Sequence, residues 1–167
     1  PVQMHIGDGR GHDSYMWDEL KVEPYAMYAA DKAYVDLEAL RRIHHANAFF
    51  VVRPKSNMKF LFKEELANTE PDSNIVGDYI VELAKKSARD LYPDELRFVR
   101  AIDMETREVI DFTTNNFELS ALEIANIYRH RWDIEVFFRW IKQNIVIKKL
   151  WGYSTNAVKI HLWVAIC

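Results

Sequence analysis

Apolar and polar positions alternate along the chain with three different periods, and each period predicts a different element. A short alternating run, VQMHI, reads as a strand broken by the turn glycines Gly7, Gly9 and Gly11. His12-Asp13-Ser14 then opens a short helix reaching Leu20, with Asp13 or Ser14 as its cap. YAMYAA is an apolar run of strand length that stops at Asp31. Helical spacing of Leu37, Leu40 and Ile43 follows, and FFVVRPK is a second buried strand closed by Pro54. Strand, helix, strand in that order predicts a parallel pair joined by a crossover helix.

From 56 to 116 the pattern changes to β-leaning pieces, MKFLF, DYIVEL, LRFVRAID and REVIDFTTN, separated by polar turns. This predicts an antiparallel, β-rich insertion. After Asn115-Asn116, the stretch SALEIANIYRHRWDIEVFFRWIKQN carries about 25 residues of helical pattern, with Ser120 and Glu123 at capping-box spacing. The chain therefore divides by pattern into 1–55, 56–116 and 117–167. The expected class is α/β, a mixed sheet flanked by helices.

With 167 residues, 49% of them hydrophobic, one sizeable core is expected, and 28% charged residues exclude a disordered or low-complexity chain. No run approaches a membrane span and no signal-peptide pattern opens the chain. The single cysteine, Cys167, builds no disulfide framework, so a cytoplasmic setting is the default. Beginning without an initiator Met and ending inside VKIHLWVAIC, the chain reads as a piece of a longer protein.

The net charge of −3 hides an asymmetry. Residues 129–159 hold seven Lys or Arg against two acids, about +5, leaving about −8 for the rest. The basic piece is the candidate phosphate-binding region. On one continuous helix, Tyr128, Arg131, Glu135 and Lys142 fall within a stripe about 60° wide. Ile127, Ile134, Phe138, Ile141 and Ile145 form a stripe beside it that is expected to pack on the sheet. Held at that edge, the Glu135 carboxylate suits a hard divalent ion while Arg131, Arg139 and Lys142 suit phosphates. Asp31 is the matching second carboxylate.

Each of these has a plainer reading. Asp31 serves equally as a turn or cap residue, and Arg131 with Glu135 as a solvated i to i+4 pair. His44, His45 and His130 lie at no zinc spacing and read as surface or packing residues. Trp132, Trp140 and Trp151 read as core or interface packing before base stacking.

Tyr128-x2-Arg131-x3-Glu135-x6-Lys142 resembles the Y-R-E-K signature of DDE transposases of bacterial insertion sequences, those of the "insertion sequence four" type. HIGDGRGHDS, AADKAYVDLEAL and TNNFELSALEIANIYRHRWDIEVFFRWIKQ resemble that family's blocks in order. The resemblance implies a ribonuclease-H-like core, with Asp31 and Glu135 as catalytic carboxylates binding Mg2+ or Mn2+. It further implies DNA-backbone contacts from Tyr128, Arg131 and Lys142, beside the basic candidates Arg139, Lys148 and Lys149. Its partners would be double-stranded DNA, at terminal inverted repeats and target sites, and a second copy of the protein in a synaptic homodimer. The family's first aspartate would precede Pro1, so this piece alone is expected to be inactive; Asp8 and Asp13 sit in turn and cap positions. A nuclease, or a remnant that only binds DNA, is the alternative to a transposase.

Overall fold

The computed structural model describes residues 16–67 and 73–144, with isolated positions from Ser154 onward. The first predicted strand and its glycine turn lie outside the described residues. The chain forms two compact units, one spanning Gly11–Arg129 and the other containing His130–Cys167.

The larger unit is a six-stranded sheet with helices on both faces. Its elements are α1 (Met16–Glu19), β1 (Met27–Ala30), α2 (Leu37–His45), β2 (Phe49–Val52), β3 (Phe60–Glu65), β4 (Ile75–Leu83), α3 (Lys86–Leu91), β5 (Leu96–Ile102), β6 (Val109–Thr114) and α4 (Ala121–His130). The strand order is β1-β2-β6-β5-β4-β3. β1 and β2 run parallel, in register from Met27 opposite Phe49 to Ala30 opposite Val52. The remaining neighbours are antiparallel. The parallel pair arises because α2 intervenes: Asp36 caps it by accepting from the Ala39 amide, and its apolar stripe of Ala39, Leu40 and Ile43 is buried.

Alternation along the strands splits the core into two layers. Phe50, Val52, Leu96 and Phe98 pack with Leu40 and Ile43 of α2 and with Tyr92. Val51, Val99, Ala101 and Phe112 pack on the other face with Ile124, Ala125 and Tyr128 of α4. The β-leaning pieces after residue 56 extend the same sheet, since β6 pairs directly with β2. Asn115 prolongs that junction: its Oδ1 accepts from Phe50 N and its Nδ2 donates to Ala48 O, both at 2.9 Å. The short helix α3 was not foreseen from the pattern.

The smaller unit contains α5 (Trp132–Asn144). The single helix of about 25 residues expected over 120–144 is thus two helices, interrupted by a turn at Arg131. The interruption also divides the apolar stripe expected to pack on the sheet. Ile127 is partly buried in the second core layer, whereas Ile134 is exposed. Trp132 and Trp140 are exposed as well, which removes the core half of their core-or-interface reading.

Candidate active site

Asp31 directly follows β1, at the C-terminal end of the parallel pair. Its Oδ1 accepts from the Lys32 amide at 2.6 Å and caps a 3-10 turn over Lys32–Tyr34. The cap reading is therefore realised, and it ties the carboxylate through one oxygen. Among the described residues, Oδ2 carries no hydrogen bond.

Tyr128 reaches the same oxygen from the other end of the unit. Its ring is buried against Phe112, with centroids 4.9 Å apart, and its hydroxyl donates to Asp31 Oδ1 at 3.5 Å across 97 residues of sequence. The contact is long for a hydrogen bond but joins the two motifs.

The start of α4 is fixed from several directions. Asn116 Oδ1 accepts from the Glu118 and Leu119 amides. The capping box closes as expected: Glu123 Oε2 accepts from Ser120 N at 2.7 Å and Ser120 Oγ accepts from Glu123 N at 3.2 Å. Beneath lies a buried ion pair that sequence reasoning missed. Arg97 Nε and Nη2 donate to the two oxygens of Asp78 at 2.9 and 2.6 Å, and Nη1 donates to the carbonyls of Asn116 and Leu119. With side chains only 6% and 4% exposed, the pair is desolvated and fully bonded. It links β4 and β5 to the residues that launch α4 toward Asp31.

In the smaller unit, Arg131 Nη1 meets Glu135 Oε1 at 3.0 Å, the i to i+4 pair, and the Arg131 guanidinium lies 5.4 Å from the Trp132 ring centre. Arg139 is exposed. The Lys142 side chain, Lys148 and Lys149 lie outside the described residues. Asp31 belongs to the sheet unit and Glu135 to the helical unit. Among the other candidates, His130 pairs with Asp133, and His44 accepts or donates one bond with the Tyr92 hydroxyl at 2.9 Å while stacking on its ring.

Among the described residues no group of three or more His, Cys, Asp or Glu side chains is gathered for a metal ion. Taken separately, each candidate carboxylate has the oxygen donors that a hard divalent cation takes, and Asp31 Oδ2 carries no hydrogen bond among the described residues.

A second feature missed in the sequence lies on the face of the sheet that carries Phe98. Arg53, Lys55, Lys59 and Arg100 line an open groove of about 410 Å3 with Phe62 and Phe98. The triplet Arg53-Pro54-Lys55 directly after a buried strand was the available signal.

The described residues thus form a mixed sheet flanked by helices, with Asp31 at the end of a parallel strand and Tyr128 against it. The chain belongs to the transposase DDE domain family, whose model matches residues 1–167. The architecture is consistent with the ribonuclease-H-like fold of that family. A Sinorhizobium fredii protein named for a transposase, y4zB, is 36% identical, the match covering 99% of this chain and 47% of that protein. A Geobacillus stearothermophilus protein named for the transposase of insertion sequence element IS5377 is 32% identical over 99% of this chain and 43% of its own length. One from Synechocystis, named for insertion sequence element IS4SA, is 26% identical over 99% and 46%. The chain spans about half the length of these curated relatives. No helix among the described residues is long and apolar enough to cross a membrane.

Proposed function

We propose that the protein is a metal-dependent DNA transposase in which Asp31 and Glu135 are catalytic carboxylates. The observation that carries this reading is the meeting of Tyr128, a signature residue on the late helix, with Asp31 at the end of β1. In the overall reaction, a water oxygen bonds to phosphorus at the element end and the bond from phosphorus to the 3′ oxygen breaks. The freed 3′-hydroxyl then attacks a target phosphodiester, whose own 3′ oxygen leaves.

Asp31 and Glu135 would hold Mg2+ or Mn2+, which when bound supplies a Lewis acid for the attacking and departing oxygens. The protein's own part is positioning. The Lys32 amide and the Tyr128 hydroxyl hold Asp31 through Oδ1 and leave Oδ2 for that task. Arg131, Arg139, Lys142, Lys148 and Lys149 offset phosphate charge, and the Tyr128 hydroxyl marks where the DNA backbone meets the carboxylate.

The test is cleavage of DNA bearing the terminal inverted repeats by the full-length protein with Asp31→Asn or Glu135→Gln. Asn caps as well as Asp, so the first variant keeps its turn. Loss of metal-dependent nicking in both, with folding retained, is expected. Persistent nicking would remove the carboxylates from the chemistry, and strand-transfer products from the unsubstituted protein separate a transposase from a nuclease.

A further inference from the structure

We propose that the groove beside β2 is a second DNA-backbone subsite, which carries the strand leading away from the phosphate at Asp31. This rests on the DNA reading above, but it places the contact on residues of the sheet unit and not on those of the basic C-terminal stretch.

The register sets the position. Ala30 and Val52 are partners on adjacent parallel strands, so Asp31 and Arg53 are the next residues on each. Lys55 joins the groove to the loop after Asp31, since its Nζ donates to Val35 O at 2.7 Å. On the far side β5 and β6 bring Arg100 opposite Asp111, where the guanidinium donates from Nε and Nη2 at 2.7 and 3.0 Å. The groove is thus assembled from three separate stretches of sequence on the Phe98 face of the sheet, with Arg53 next to Asp31 in register and Lys59 before the first residue of β3.

Its charge is what calls for a polyanion. Four cations, Arg53, Lys55, Lys59 and Arg100, share the lining with one carboxylate, Asp111. They gather within the part of the chain whose overall balance is acidic. Asp111 is engaged by Arg100. Arg53 and Lys59 have no ion-pair or side-chain hydrogen-bond partner among the described residues. Clustered like charges without counterions repel one another, and a row of phosphates relieves that repulsion while releasing condensed counterions. The wall suits the rest of a nucleotide. Phe62 is 55% exposed, braced edge-on by Phe98 at 5.4 Å and Tyr79 at 5.2 Å, and offers apolar surface for a deoxyribose. An acidic protein segment would use the cations but has no sugar to lay on that wall.

The experiment measures binding of the full-length protein to a short mixed-sequence DNA duplex, without divalent metal, over a series of salt concentrations. Each lost phosphate contact lowers the slope of log affinity against log salt by about 0.9, so Arg53→Gln with Lys59→Gln is expected to lower it by roughly 1.8 and to weaken binding most at low salt. Lys59→Glu is expected to weaken it further than Lys59→Gln. The charge-matched pair Lys21→Gln with Arg41→Gln, outside the groove, is expected to leave the slope unchanged, and thermal unfolding verifies that every variant is folded. If the unsubstituted protein shows no salt-dependent binding, the DNA reading itself fails and the groove assignment with it. If it binds steeply and the groove variants keep its slope, or if the control pair lowers the slope equally, the groove assignment alone is overturned.

Discussion

Two arginine–carboxylate pairs stand in this molecule, and their surroundings give them opposite roles. Arg97 and Asp78 are buried, joined by two bonds, and the arginine's remaining donor holds the backbone that precedes α4. Arg131 and Glu135 sit on one helical turn, joined by one bond, with the Glu135 side chain 41% exposed. The first pair cannot be opened without stranding a charge in the core. The second can exchange its partner for a phosphate or a metal ion at small cost, because water already competes for it. One pair braces the start of α4, and the other holds a half-exposed carboxylate on α5.

The largest effect should come from breaking the buried pair. Arg97→Met leaves Asp78 desolvated without a counterion and is expected to lower unfolding free energy by about 3–5 kcal/mol in urea titration. A loss below about 1 kcal/mol would erase the distinction between the pairs. Next is the device that joins the buried pair to α4: Ser120→Ala removes the cap of Glu123 N and should cost about 1 kcal/mol. Tyr128→Phe keeps the ring against Phe112 and removes only the long bond to Asp31, so about 0.5 kcal/mol of stability is at stake, while the Mn2+ concentration needed for nicking should rise. Glu135→Gln should shift stability by under about 0.5 kcal/mol yet abolish cleavage, the reverse of Arg97→Met.

The smallest effect concerns acid. Asp103 accepts from the Thr106 and Glu105 amides in the β5–β6 turn, which lowers its pKa below the ordinary aspartate value. A lowered folded-state pKa means that the turn's contribution is present above the ordinary range and fades as pH falls through the lowered value. Carboxyl NMR titration of Asp103 and Asp111 would check this, and an Asp103 midpoint above the ordinary range would reverse the sign.

The parallel pair, its crossover helix and the antiparallel strands were legible because hydrophobic period and stop residues agree there: β1 ends at Asp31 and β2 shortly before Pro54. The capping box at Ser120 was legible for the same reason, local spacing meeting local geometry. The break at Arg131 was not, because helical periodicity persists on both sides and neither proline nor glycine marks it. The Arg97–Asp78 pair was hidden since 19 residues separate its members and only strand pairing brings them together. The cation groove was hidden likewise: counting charge along the chain put the phosphate-binding region after residue 129, while the sheet collects Arg53, Lys59 and Arg100 from elsewhere. Asp31 was singled out in the sequence as a candidate, but Tyr128 was read as a DNA contact alone, and the contact between the two is a product of the fold.

The central proposal is that Asp31 and Glu135 serve one metal site, and iron-mediated cleavage of the polypeptide tests it most directly. Fe2+ loaded in place of Mg2+ on the full-length protein reduces added hydrogen peroxide, with ascorbate to regenerate Fe2+, to hydroxide and hydroxyl radicals that cut the backbone nearest the ion. The account predicts cuts beside both Asp31 and Glu135, suppressed together by excess Mg2+ and by Asp31→Asn. Cuts beside only one of the two, or cuts at Glu135 that survive Asp31→Asn undiminished, would contradict it.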